Sequence, residues 1–360
     1  MRLALVTDAW HPQVNGVVRT LTETARRLRD RGHELDVIQP GKFRTWPCPS
    51  YPEIRLALGS GRSVRRRLDA FAPDALHIAT EGPLGWAARA WALRHQFPFT
   101  TSFHTRFPDY LSVRTRLPEN WFWPVVRRFH APAMRTFAAT SRLQAELASR
   151  GLPHTHLWSR GVDLALFASL VATDDLAHLP RPLQLYVGRV AVEKNLPAFL
   201  DARTPGTKLV VGGGPALEAL QQSYPDVIFA GPRFGQELVG YYRAADVFVF
   251  PSLTDTFGLV MIEALSAGTP VAAFRVAGPL DIIGADGRGR RGRPVGVLDQ
   301  DLPAAILAAL ECDREDCMAE GQQYSWERAV DQFVAGLALA PKWASQRSAP
   351  ARLWAVEPRL

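Results

Sequence analysis

Short apolar runs separated by amphipathic stretches divide the chain into two series. Strands are predicted over residues 3–6, 34–38, 75–79, 99–102 and 137–140, where the apolar character is continuous or alternating. Between them, apolar positions three and four apart predict helices over 17–31, closed by Gly32, over 85–94, and after the last strand through 147. The pattern restarts with strands over 183–187, 208–211, 227–230, 247–250 and 271–274, and helices over 195–202, 215–222, 237–244 and 259–267. Near-continuous apolar strands alternating with helices imply parallel sheets covered on both faces. The chain therefore reads as two α/β halves. Domains are expected over 1–167 and 183–325, with a hinge over 168–182 that ends in Pro180-Arg181-Pro182. A C-terminal helix over 326–344 is expected to pack back on the first domain. The Pro- and Arg-rich tail 345–360 lacks periodicity and is expected to be disordered. The run Arg288 to Arg293 reads as a flexible, solvated basic loop.

Composition narrows the class. At 360 residues, 47% hydrophobic and 21% charged, the chain can bury a sizeable core and is neither disordered nor fibrous. Three cysteines (Cys48, Cys312 and Cys317) exclude a disulfide framework and fit a reducing compartment; Cys312 and Cys317 read as two thiols on a helix face. No apolar run reaches the roughly 18 residues of a membrane span. The apolar N-terminus meets Asp8 at once and reads as a first strand, not a secretion signal. The expected compartment is the cytoplasm.

Charge is unevenly placed. Residues 1–165 carry 24 Lys and Arg against 13 Asp and Glu, net +11, whereas 166–360 carry 18 against 22, net −4. A polyanionic partner for the first half, membrane surface or nucleic acid, accounts for this, as does an arginine-rich composition: 38 of the 42 cations are Arg.

The residues that suggest chemistry lie where strands give way to helices. Gly188-Arg189-Val190-Ala191-Val192-Glu193-Lys194-Asn195 follows a buried strand and precedes a helix. Backbone N–H groups at a helix start suit an anion, and Arg189 and Lys194 add two cations. A second segment runs from Thr254 through Asp255, Phe257-Gly258-Leu259 and Glu263 to Val271. Phe257, Gly258 and Leu259 would offer N–H groups to a phosphate. Glu263, on a crevice-facing helix, suits a ribose diol. Helix capping accounts for an Asp such as Asp255 but not for Glu263 among Val260, Met261, Ile262, Ala264 and Leu265. Asn15-Gly16-Val17 and Gly212-Gly213-Gly214 are further glycine loops, neither with the G-x-G-x-x-G spacing of a nicotinamide enzyme. His104 sits just past the carboxyl end of a strand, where open sheets place ligands.

These segments resemble the retaining glycosyltransferases of family 4. Gly188-Arg189 followed by Lys194 resembles the family's diphosphate-binding pair, and Asp255-x7-Glu263 its E-x7-E motif, with Asp where the family usually has Glu. Trp158-Ser159-Arg160-Gly161-Val162-Asp163 and Ser325-Trp326-Glu327 extend the likeness to about residue 335. Trp10-His11-Pro12-Gln13-Val14-Asn15-Gly16-Val17 and Ser102-Phe103-His104-Thr105-Arg106-Phe107-Pro108 resemble bacterial members that glycosylate diacylglycerol-type lipids from GDP-mannose or UDP-hexose. The resemblance implies the GT-B fold: two Rossmann-like parallel-sheet domains facing a central cleft, the donor on the second and the acceptor on the first. It implies Arg189 and Lys194 on the diphosphate, Glu263 on the ribose, Asp255 on sugar hydroxyls, His104 at the reacting centre, and Gly16 and Gly188 lining the donor site. It further implies hexosyl transfer with retained configuration and no metal or other cofactor. The acceptor would be a membrane glycerolipid or a saccharide, and the enzyme would sit peripherally on the inner face of the membrane, against anionic lipid. A sugar-nucleotide 2-epimerase of the same architecture is the alternative. Nucleic-acid binding loses support because no nucleic-acid motif accompanies the two donor motifs.

Overall fold

The computed structural model describes residues 1–13, 15–48, 51–169, 174–253 and 257–340. Asp255, the middle of the expected hinge and the whole tail 345–360 lie outside them. In the first half the strands are β1 (Arg2–Val6), β2 (Glu34–Ile38), β3 (Thr45–Cys48), β4 (Tyr51–Ala57), β5 (Ala75–Ile78), β6 (Thr100–Ser102), β7 (Arg135–Ala138) and β8 (Thr155–Leu157). Six form a parallel sheet in the order β2-β1-β5-β6-β7-β8, while β3 and β4 make a separate antiparallel hairpin. The second half holds β9 (Leu183–Val187), β10 (Thr207–Val211), β11 (Ile228–Gly231), β12 (Val247–Phe250), β13 (Val271–Ala273) and β14 (Gly296–Leu298). They form a parallel sheet ordered β11-β10-β9-β12-β13-β14.

The continuous apolar strands are buried on both faces. Leu3 and Leu5 pack with Leu21, Ala25 and Leu28 of the helix Gly16–Asp30 and with Val330 and Phe333 of the helix Trp326–Gly336. Ala4 and Val6 face the other way. They meet Val64 and Leu68 of Gly61–Phe71, Ala88 and Trp91 of Pro83–Arg94, and Phe129 of Trp123–His130. Each fully buried Leu or Phe contributes about 1.5–3 kcal/mol of transfer free energy, so the C-terminal helix is an integral layer of the first half. Arg27 pairs with Glu327, and Arg31 with Asp331, along its seam with Gly16–Asp30.

The C-terminal helix is shorter than the expected 326–344. It stops at Gly336; Leu337 is extended, Leu339 bridges Ala75, and the Ala340 N–H donates to the Asp74 carbonyl at 2.7 Å. Pairing with the start of β5 replaces a further helical turn. The basic loop is not loose either. The N–H groups of Arg290 and Arg291 donate to the buried Glu320 carboxylate at 3.0 and 3.2 Å, and the Arg290 guanidinium lies over the Tyr324 ring. Of the two thiols expected on a helix face, Cys317 is buried in Arg314–Gly321, while Cys312 precedes that helix.

A two-domain candidate active site at the sheet switch points

In each sheet the strand order reverses once, between β1 and β5 and between β9 and β12. Open parallel sheets bind ligands at such switch points, beyond the carboxyl ends of the strands. Here the two crevices meet. Gly16, the first residue of its helix, lies against the Leu259 side chain, where a Cβ on the glycine would be 3.3 Å from Leu259 Cδ1. One turn further, Arg19 forms an ion pair with Glu263 of the helix Leu259–Ser266.

Glu263 is 1% exposed. Its second oxygen accepts from the Tyr242 hydroxyl at 2.9 Å. Burial and the neighbouring carboxylate hold Tyr242 protonated, well above its ordinary range, so it stays a donor. The sequence reading put Glu263 on the crevice and missed both partners. Nothing in the spacing marked Tyr242, and Arg19 was signalled only by lying three residues after Gly16 at a helix start. Arg19 is still 44% exposed at its side chain, and a carboxylate has about four acceptor positions. Both Glu263 oxygens are engaged and buried, so a further donor reaches them from the cleft where the half-exposed Arg19 side chain turns aside.

Beyond β9 the chain turns tightly. Gly212 has φ +141°, and a Cβ there would sit 1.8 Å from the Gly188 carbonyl oxygen, so the two glycine loops touch through bare backbone. The Val190 N–H donates to the Gly213 carbonyl at 2.9 Å. Arg189 is half-buried, 3.9 Å from Glu193, and its carbonyl accepts from the Tyr186 hydroxyl at 2.8 Å. Lys194 ends a short 3-10 turn, and the next residue, Asn195, donates to the Pro251 carbonyl beyond β12 at 3.1 Å. The Arg189–Lys194 loop is thereby tied to the loop that leads into residues 254–256. Gly258 then caps Leu259–Ser266 at φ +89°. Phe257 points into the core and packs its ring against Tyr324, so only its backbone faces the helix start.

The first half contributes buried polar groups. Asp8, just past β1, accepts from the Thr80 hydroxyl at 3.1 Å and from the Leu84 and Gly85 N–H groups at 3.0 and 3.3 Å. Burial pushes its carboxyl up to about 6 against these donors. Asn15 caps Gly16–Asp30 through Val18 at 3.0 Å. His104 is 6% exposed beyond β6, edge-on to Trp158, and accepts at Nδ1 from Arg160 at 3.0 Å. Burial, reinforced by the Arg160 charge, holds its imidazole well below the ordinary histidine range. Arg160 lay in a quoted motif without a role.

Thus Gly16, Leu259 and Glu263 come together across the cleft. Arg189, Lys194 and Gly188 share one loop beside them. His104 stands on the first half next to Arg160, and Asp255 lies outside the described residues. Among the described residues, no three or more His, Cys, Asp or Glu side chains gather as a metal site.

Two parallel α/β domains with apposed switch points form one cleft between them, where open parallel sheets bind ligands. The family models agree: Glycosyltransferase Family 4 matches residues 14–166, and Glycosyl transferases group 1 matches 181–312. The chain belongs to glycosyltransferase family 4 and is a hexosyltransferase of the GT-B fold. It is 31% identical over 93% of its length to a GDP-mannose-dependent alpha-mannosyltransferase of Mycobacterium tuberculosis, covering 95% of that protein. It is 29% identical to a sulfoquinovosyl transferase of Arabidopsis thaliana, across 89% of this chain and 70% of that one. It is 26% identical to an alpha-monoglucosyldiacylglycerol synthase of Streptococcus pneumoniae, across 76% and 71%. The fold is shared with sucrose-phosphate synthase from Thermosynechococcus elongatus, with TM-score 0.73, 22% identity and coverage of 93% and 97%. It is also shared with Anabaena HepE, with TM-score 0.69, 16% identity and coverage of 93% and 98%. The 2-epimerase alternative draws no support from these relatives.

Proposed function

We propose that the protein transfers a hexosyl group, with mannose from GDP-mannose the first candidate, to a membrane glycerolipid or saccharide, with retention of anomeric configuration and without a metal. The observation that carries this is the meeting of the two switch points through Gly16, Arg19, Leu259 and Glu263, with Arg189 and Lys194 on the adjoining loop. The likeness to a mannosyltransferase and to a diacylglycerol glycosyltransferase supports the donor and acceptor classes. In this reading Arg189, Lys194 and the backbone beyond Gly258 stabilise the charge that grows on the departing diphosphate. Glu263 accepts from the ribose hydroxyls, Asp255 holds sugar hydroxyls, and His104 lines the reacting centre. Same-face attack assisted by the leaving phosphate accounts for retention, and closure of the halves excludes water.

The membrane acceptor accords with one face of the first half. Helices Gly61–Phe71, Pro83–Arg94 and Trp123–His130 all cover the same side of the sheet. They carry Arg62, Arg65, Arg66, Arg94, Arg127 and Arg128, and a groove of about 530 Å³ opens between Arg62, Arg65 and Arg94. Trp121 is 68% exposed beside them, whereas Trp123 is core, stacked on Phe103. Arg67, on the same helix as Arg62, Arg65 and Arg66, pairs with Asp36. No helix among the described residues is long and apolar enough to cross a membrane. Cationic side chains near an anionic bilayer contribute about 1 kcal/mol each, and an exposed Trp enters the interface. We therefore place the enzyme peripherally on the inner face of the cell membrane.

The test is a thermal-shift panel of GDP-, UDP- and ADP-sugars, followed by transfer assays with the responding donor in excess chelator and NMR of the product anomer. A ligand at a hundred times its Kd raises stability by about 2.7 kcal/mol. An α-linked product from an α-linked donor, formed undiminished in chelator, is expected. An inverted anomer, or activity lost in chelator and restored by divalent ion, overturns the corresponding part of the reading.

A further inference from the structure

The geometry points to Arg160 as a positioning residue that fixes His104 as the neutral ring with its proton on Nε2, so that His104 acts toward substrate as a hydrogen-bond donor and not as a base. A guanidinium has five N–H donors and no acceptor. Its Nη2 lies 3.0 Å from His104 Nδ1. That contact is a hydrogen bond only if Nδ1 carries the lone pair, which leaves the single proton of the neutral imidazole on Nε2. A doubly protonated ring would set N–H against N–H beside a cation.

Arg160 has little freedom to do otherwise. It is 7% exposed, its Nη1 donates to the Trp158 carbonyl at 2.7 Å, and its guanidinium lies 4.9 Å from the centre of the Trp158 ring. The segment beneath it is pinned from both sides. The Trp158 N–H donates to Ala138 at the end of β7, the Ser159 N–H to the Gln332 side chain of the C-terminal helix, and the Val162 N–H to the Tyr324 carbonyl. Burial lowers the guanidinium to about 10, which leaves it charged at neutral pH. The titratable groups turned toward His104 are Arg160, His77 and His130. His77 is itself held between Thr100 and Ser102, and burial lowers its ring to about 3. No carboxylate is among these three neighbours to favour imidazolium.

This inference rests on the proposed transfer site but is read without turnover. In donor-free protein labelled with 15N-histidine, long-range proton–nitrogen correlation at pH 6–8 is expected to show His104 with a protonated Nε2 and a bare, hydrogen-bonded Nδ1. An Nδ1–H ring or an imidazolium at pH 7 overturns the assignment, whatever the enzyme transfers. Kinetics supply the second arm. Arg160→Met is expected to lower kcat by roughly ten- to a hundredfold with donor Kd within about threefold, the scale of one misdirected donor. In a His104→Gln background, where an amide N–H₂ donates without a tautomer to set, the same substitution should cost less than about threefold. Equal losses in both backgrounds mean that Arg160 does not act through His104.

Discussion

The two halves share a parallel-sheet plan and use their switch points differently. In the second half the candidate cations Arg189 and Lys194 stand half-buried on the loop that follows the glycine turn at Gly188, with Arg189 3.9 Å from Glu193. In the first half the polar groups are sealed in. Asp8, His77, His104 and Arg160 are all buried and hydrogen-bonded, and burial keeps two of these four, His77 and His104, neutral. The lesson is a division of labour. In the proposed reading, the charge growing on a departing diphosphate calls for always-charged donors, whereas a region that meets a sugar calls for fixed donors such as the His104 Nε2–H. Outside the cleft the contrast reverses in sign, with the surplus positive charge on the first half.

The sharpest way to break this comparison is to remove the cations of the second half. Lys194→Ala and Arg189→Ala are each expected to lower kcat by about a hundredfold or more, with donor Kd changing far less, because leaving-group charge is greatest in the transition state. Turnover intact with a raised KM would assign them to ground-state binding only. Next in size is the basic face of the first half. Arg62→Glu combined with Arg66→Glu should reduce sedimentation with anionic vesicles about tenfold at low salt and little at high salt. Unchanged binding removes that face from the membrane contact.

Glu263→Gln should weaken donor affinity several-fold while melting stays close to wild type, since Arg19 can turn to water. Unaltered affinity would take Glu263 off the ribose. The smallest effect concerns Asp8. Its carboxyl lies near 6 when folded, above its unfolded range, so the folded state holds the proton more tightly. Stability should accordingly fall as pH rises from about 4 to about 6 and then level, by on the order of 3 kcal/mol at most. Asp8→Asn should flatten that segment of the pH–stability curve; an identical slope in the variant would show that Asp8 does not produce it.

How much of this was legible follows the same division. Ten of the twelve strands of the two six-stranded sheets stood out because burial on two faces leaves apolar runs such as Leu3-Ala4-Leu5-Val6 and Val247-Phe248-Val249-Phe250, whereas the three-residue edge strands β8 and β14 did not. The helix Gly61–Phe71 was missed because only Val64 and Leu68 mark its buried side among arginines. Gly188, Arg189 and Lys194 were legible because they sit in one short strand-to-helix turn after β9, and Glu263 because it is a carboxylate among the apolar residues of the helix after β12. Arg19, Tyr242 and Arg160 were not, because each acquires its role from a residue 21 to 244 positions away that the fold alone brings near. Gly336 ending the last helix depends likewise on pairing with Asp74 and Ala75.

The central claim, that the two crevices form one transfer site, is tested most directly by product stoichiometry. Enzyme is incubated with a responding nucleotide sugar, with and without a diacylglycerol-type or saccharide acceptor, and nucleoside diphosphate and glycosylated acceptor are counted together. The account predicts one diphosphate released per acceptor glycosylated, little release without acceptor, and an unaltered sugar in the donor that remains. A donor whose sugar changes configuration with no acceptor present, or nucleotide release uncoupled from any glycosylated product, would contradict it.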